Sequence, residues 1–176
     1  GTGTRDLEKM GGLSRAMPVT AGTFLAGAWA ICGLPPLNGF VSEWLIYLAA
    51  FQGLALSHLP WTAIALASLA LIGALALACF AKAYGAVFLG SPRSPEAAGA
   101  HEATRAMRSP MLALASACAL VGLAPFLLVP ALDRVVAGVS GVQVLPSVAG
   151  FAYLPVLSVL AALLLLLVLG LWRWTR

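Results

Sequence analysis

Charged residues are scarce in this sequence: they make up 9% of its 176 positions, where a soluble globular domain carries roughly 25%. So few charges cannot coat a water-facing surface, which excludes an ordinary soluble domain and makes lipid the natural solvent. Metal-binding side chains are scarce too. There are two histidines and three cysteines, and Cys32, Cys79 and Cys118 each lie in a separate apolar run. None has a Cys or His partner at metal-ligand spacing, which excludes a zinc site, an iron–sulfur cluster or a disulfide framework within these residues. They read as small buried hydrophobes, and the chain is assigned no cofactor, no metal and no catalytic group. The start lacks both an initiator Met and a basic-then-apolar leader. The sequence is therefore expected to be a piece of a longer chain that begins inside a loop. The net charge of +4 is spread thinly over segment ends, which is the pattern of membrane topology signals and not of a nucleic-acid surface.

What is present is long apolar runs: 61% of the residues are hydrophobic and the mean hydropathy is +0.98. A hydrocarbon layer about 30 Å thick takes about 20 apolar helical residues. Four runs qualify: Val19 to Gln52, Thr62 to Phe88, Met111 to Leu132 and Leu154 to Trp172. They are rich in Ala and Leu and show no period-two alternation, so strands are a poor fit. Helices satisfy their own backbone in lipid. The expected fold is therefore all-α, a polytopic transmembrane bundle of about four spans. The expected organisation is a loop over 1–17, a transmembrane region over 18–110 with a solvated loop from Leu89 to Pro110, and C-terminal helices over 111–176. One face of the membrane would then hold Arg5, Lys9, Arg15, Arg93, Arg105, Arg108, Arg173 and Arg176, and the other only Arg134. The positive-inside rule makes the first face cytoplasmic, with the N-terminal loop and the C-terminus on it.

The first run is too long for one straight crossing and contains Gly33-Leu34-Pro35-Pro36-Leu37-Asn38-Gly39. Two consecutive prolines remove two amide donors and clash with the preceding turn, while Gly33 and Gly39 let the backbone change direction. The expectation is two half-helices, Val19 to Cys32 and Phe40 to Gln52, joined by unwound backbone over Gly33 to Gly39. Non-helical backbone at this depth is tolerated only where protein or water covers it, and transport proteins aim such breaks at an ion path.

Glu43 follows the break and lies nine residues before Gln52, about 14 Å at a rise of about 1.5 Å per residue. An acid near the middle of the hydrocarbon layer is costly unless it is protonated, paired or beside water. Two roles follow: a structural acid bonded to the freed amides near Gly39, or a proton-carrying group. Asn38, Ser42 and Tyr47 are placed to hold water or share its proton. Lys82, about 30 Å along its helix from Thr62, reads either as a residue snorkelling to the near surface or as a relay position. His58 and His101 fall in loops, where His101, beside Glu102, is a weaker candidate for feeding protons to a channel. Trp29, Trp44 and Trp61 read as packing or interface residues.

The run Gly33 to Trp44 resembles the discontinuous helix of the antiporter-like subunits of respiratory complex I and its relatives, and Arg5 to Leu13 is similar to the loop leading into that helix. The run Cys79 to Gly90, followed by Pro92-Arg93, resembles the large antiporter-like subunit of membrane-bound [NiFe] hydrogenases of the hydrogenase-4 and formate hydrogenlyase type. The resemblance implies two inverted repeats, of which the first is missing here, and an essential Lys or Glu just after the proline break, a position that falls on Glu43. It implies a proton-translocating subunit in a bacterial or archaeal plasma membrane. Its partners would be lipid, other membrane subunits, the missing N-terminal part and, through these, a peripheral hydrogenase arm whose redox chemistry shifts charge along buried ionisable groups. The rivals are a complex I subunit, a cation/proton antiporter of the Mrp type, and a membrane anchor that moves no ions.

Overall fold

The computed structural model of the chain describes residues 2–3, 6–57 and 60–128, with isolated positions beyond. His58, most of the loop after Leu132 and most of the expected fourth span lie outside the described residues. Within them the secondary structure is helical, without a strand. The N-terminal loop carries a 3₁₀ turn at Leu7–Lys9 and a single turn, α1 (Leu13–Ala16). There follow α2 (Pro18–Ile31), α3 (Asn38–Ser57), α4 (Pro60–Phe88), the short α5 (Pro95–Ala98) and α6 (Arg105–Leu123), closed by a 3₁₀ turn at Pro125–Leu127. The chain is an all-α membrane helix bundle.

The first run is broken, as its prolines require, but the break is shorter than expected. It spans 32–37, and Asn38 and Gly39 already belong to the first turn of α3. α2 opens with Pro18 in its first turn, where the missing amide costs nothing because no helical carbonyl awaits it. It closes in a Schellman motif. Gly33 takes φ +63°, the amide of Leu34 donates to Trp29 O and that of Gly33 to Ala30 O, both at 3.2 Å. These are the two bonds by which a left-handed glycine satisfies the last carbonyls of a helix.

α4 has 29 residues, about 43 Å of helix, so it exceeds the hydrocarbon layer, and it packs on both half-helices. Beyond the start of α4, Thr62 lies against Gly53 of α3. Near its end, Phe88 packs on Phe24 of α2 with ring centroids 5.3 Å apart, and on Tyr84 at 5.1 Å. A small core of Leu13, Ala21, Phe88 and Ala97 forms at this end, with Met10 and Tyr84 against it, so the N-terminal loop and the loop around α5 close over one mouth of the bundle. Elsewhere the surface of α4 is apolar and open: Ile64, Leu71, Ile72 and Leu75 are each 61% exposed. A continuous exposed apolar surface marks contact with lipid or further helices. By length and composition α4 and α6 are each able to cross a membrane.

The third span differs from its expected bounds of Met111 to Leu132. α6 begins at Arg105, six residues earlier, with Pro110 inside it. The polar stretch before Met111 resembles a loop by composition, yet Arg, Ala and Met are good helix formers. α6 also ends earlier, at Leu123, because Pro125 keeps its predecessor out of the helical region: Ala124 sits at φ −128°, ψ 57°.

Candidate functional site

The peptide between Pro35 and Pro36 is cis, and the turn over 32–37 leaves carbonyls that α2 and α3 cannot satisfy. Trp29 meets one of them: its indole N–H donates to Pro35 O at 2.9 Å. A residue that composition assigned to packing therefore also staples the break through a polar bond. The covering of the break comes from α6. A Cβ on Gly122 would overlap Pro36 O and the backbone of Leu37, so only glycine lets α6 come this close. At Gly39 a Cβ would strike Ala30 O, which seats the start of α3 directly on the end of α2. Both glycines follow the membrane-helix rule that small residues mark close backbone approach.

Glu43 is on α3, half-buried, and its carboxyl group folds back onto the break. A Cβ on Gly33 would come within 2.5 Å of Glu43 Cδ and 2.7 Å of its Oε1. The carboxylate therefore occupies the place a side chain at Gly33 would take, and Gly33 serves twice, as helix terminator and as seat for the acid. Among the described residues no amide of the break donates to the Glu43 carboxylate, and no cation lies within ion-pair distance of it.

The acid instead lines a cavity of about 440 Å³ with Gly27, Ala30, Asn38, Ser42 and Cys118. Ser42 donates its hydroxyl to Gly39 O at 2.9 Å. Asn38 Oδ1 is buried and has no hydrogen-bond partner among the described residues. Asn38 and Ser42 also line a second cavity of about 200 Å³ towards Val121, Pro125 and Leu128, so both residues border both spaces. A buried amide oxygen without a partner is expensive, and Asn38 carries that cost at the border of a cavity large enough for water.

The other expected residues are not gathered here. Tyr47 lies one turn beyond Glu43 on α3 and is not part of the cavity lining. Lys82 is exposed on α4, without an ion pair among the described residues, so the two in-span charges do not meet. His101 is exposed, with Nδ1 3.3 Å from Glu102 O.

Its neighbour Glu102 supplies a contact the sequence does not advertise. The Glu102 carboxylate caps α2: Val19 N donates to Oε2 at 2.7 Å, and the Thr20 hydroxyl to Oε1 at 2.6 Å. Thr20 N and Ala103 N add bonds at 3.4 and 3.0 Å. A carboxylate suits the partial positive charge of a helix N-terminus. The Thr20 hydroxyl, helped by these amides, holds its carboxyl below the usual carboxylate range. The first half-helix is thus fixed at one end by a loop acid 83 positions away and at the other by the break.

The model of the transmembrane family described as NADH:quinone oxidoreductase/Mrp antiporter matches residues 1–73, which include the break and Glu43. Hydrogenase-4 component B of Escherichia coli (strain K12) is 38% identical over 98% of this chain and 28% of its own length. Formate hydrogenlyase subunit 3 of the same organism is 43% identical over 77% of the chain and 23% of its own. A protein described as a probable K⁺/H⁺ antiporter component, from Rhizobium meliloti (strain 1021), is 33% identical over 70% of the chain and 12% of its own. The chain spans about a quarter of the length of the first two relatives.

Proposed function

This chain belongs to the antiporter-like membrane family of NADH:quinone oxidoreductases and Mrp antiporters, and we propose that it forms the part of a proton-translocating subunit that holds Glu43 as a protonatable station. The observation that carries this reading is the seat of Glu43. Its carboxylate rests on the broken backbone at Gly33 and faces a cavity with Asn38 and Ser42. Among the described residues neither an amide nor a cation fixes its charge. A carboxyl group so placed, at the edge of a space able to hold water, can change protonation when a neighbouring charge changes.

In this reading Asn38, Ser42 and Tyr47 support the station, and Gly33, Pro35, Pro36 and Gly39 shape the break. Lys82 and His101 serve the approach from the face that carries most of the basic residues, at one remove from Glu43. That face is cytoplasmic and holds the N-terminal loop and the C-terminus. The chain divides into a loop over 1–17, the end of the antiporter-like region over 18–110 and C-terminal helices over 111–176. The similarity to hydrogenase-4 component B and formate hydrogenlyase subunit 3 over most of the chain supports a membrane-bound [NiFe] hydrogenase type of complex. Other membrane subunits would then join this chain to a peripheral arm where the redox chemistry occurs. The similarity to the K⁺/H⁺ antiporter component favours a second reading, cation/proton exchange without redox coupling.

Two substitutions in the full-length protein separate a proton station from a structural acid. Glu43→Gln keeps the shape but carries no proton, whereas Glu43→Asp keeps the proton and withdraws the carboxyl group by one methylene. Proton uptake by membrane vesicles should vanish with Gln and persist in part with Asp, while the protein still assembles in both. A structural acid gives the reverse order, and full uptake with Gln would dismiss the reading.

A further inference from the structure

At the mouth of the bundle nearest the α5 loop, α6 begins with two arginines. Arg105 and Arg108 line a cavity of about 260 Å³ together with Val19, Ser109 and Leu112. Three physical observations at this cavity point to an anion. Two arginines border the space, and among the described residues neither has a carboxylate within ion-pair distance. The Nε of Arg108 is buried without a hydrogen-bond partner among those residues, although a guanidinium has five donors in a planar fork that suits phosphate oxygens. Both arginines also stand in the first turn of α6, the end at which the helix dipole disfavours cations and favours anions. Glu102, three positions before Arg105, is engaged on the start of α2 and on Ala103 and forms no ion pair with either arginine.

The cavity wall narrows the chemistry of the anion. Val19 and Leu112 are apolar, and α6 changes from a polar start to an apolar body after Pro110. The charges therefore sit at the level where a lipid headgroup meets its acyl chains, with apolar surface directly beside them. Basic pockets between membrane helices at this level accept anionic headgroups.

We infer that Arg105 and Arg108 form a binding site for the phosphate headgroup of an anionic membrane phospholipid, whose acyl chain lies along Val19 and Leu112. The site is independent of Glu43 and of the direction in which protons move. It would brace the starts of α2 and α6 against each other where Glu102 already clasps α2.

The test uses the full-length protein that carries this chain, purified in mild detergent and titrated with phosphatidylglycerol or phosphatidylcholine, with native mass spectrometry reading the bound lipid. The wild type should retain phosphatidylglycerol in preference. The double variant Arg105→Gln/Arg108→Gln should lose that preference by about tenfold or more, the scale expected when two basic side chains leave an anionic lipid. Arg105→Lys/Arg108→Lys should keep part of it, which separates lost charge from lost folding. Arg93→Gln, which removes an exposed arginine outside the cavity, should leave it unchanged. Inorganic phosphate at millimolar concentration should not displace the lipid. Equal retention of both lipids by the wild type, an undiminished preference in the double Gln variant, or displacement by phosphate would each overturn the assignment.

Discussion

Replacing Gly33 by alanine tests whether the backbone seat of Glu43 matters, because it leaves Glu43 itself untouched. Two costs arise. Gly33 has φ +63°, where an alanine is disfavoured by about 1 kcal/mol. Its new Cβ would also stand 2.5 Å from Glu43 Cδ, whereas carbon atoms in contact prefer about 3.5 Å or more. The carboxyl group must therefore retreat by about 1 Å, the difference between that separation and ordinary contact. The break need not unfold to allow this, since Glu43 borders a cavity into which it can swing. A displacement of about 1 Å in a group that must meet a proton donor costs on the order of 10²-fold in rate when geometry limits the step. Gly33→Ala in the full-length protein should thus reduce proton uptake by vesicles by about ten- to a hundredfold, with protein yield lowered only modestly. Gly27→Ala is the matched control, because it lies on α2 beside the same cavity and its Cβ would meet nothing within 4 Å. If Gly33→Ala and Gly27→Ala transport equally well, the carboxylate does not need its seat and the reasoning fails.

The clasp of Glu102 on α2 should depend on pH in one direction. Because its carboxyl is held below its ordinary value of 4.5, the clasp is fully formed above that value and is lost as pH falls through the lower folded one. Protection of the Val19 and Thr20 amides, taken relative to their intrinsic exchange rates, should hold from neutral pH down to about that point and fall below it, whereas Glu102→Gln should lower protection already at neutral pH. Protection that decays between about pH 7 and about pH 5, above the range in which a lowered carboxyl titrates, would refute the assignment. The proposed orientation predicts that a cysteine placed in the loop over 91–101 resists impermeant reagents in right-side-out vesicles, and ready labelling there would reverse the topology.

The break is legible in the sequence because proline acts locally. Pro35 and Pro36 cannot sit inside a helix whatever surrounds them, and an acid four residues past Gly39 in an apolar run is conspicuous. The seat of Glu43 is not legible. Gly33 carries a signal, a glycine closing an apolar run before a leucine, which is the pattern of a helix terminator, but nothing local says that a carboxylate folds onto it. Gly122 shows even less: its meaning is the backbone of Pro36 and Leu37 from a distant segment. The clasp by Glu102 is of the same kind, since its partners are 83 and 82 positions away. The early start of α6 is hidden because its polar residues mimic a loop, although helix formation does not require apolar side chains where the helix leaves the membrane. Its early end follows from Pro125, a signal that apolar character alone conceals.

A proton station must change its protonation state during work, and in the proposed function that requirement falls on Glu43. Infrared difference spectroscopy of the full-length protein, recorded between resting and energised membranes, reads the carbonyl stretch of a protonated carboxyl group directly. The expected result is a carboxyl band that changes between the two states, shifts when Glu43 is labelled isotopically, and disappears in Glu43→Gln. A difference spectrum in the carboxyl region that is the same in the wild type and in Glu43→Gln would contradict a protonation change at Glu43.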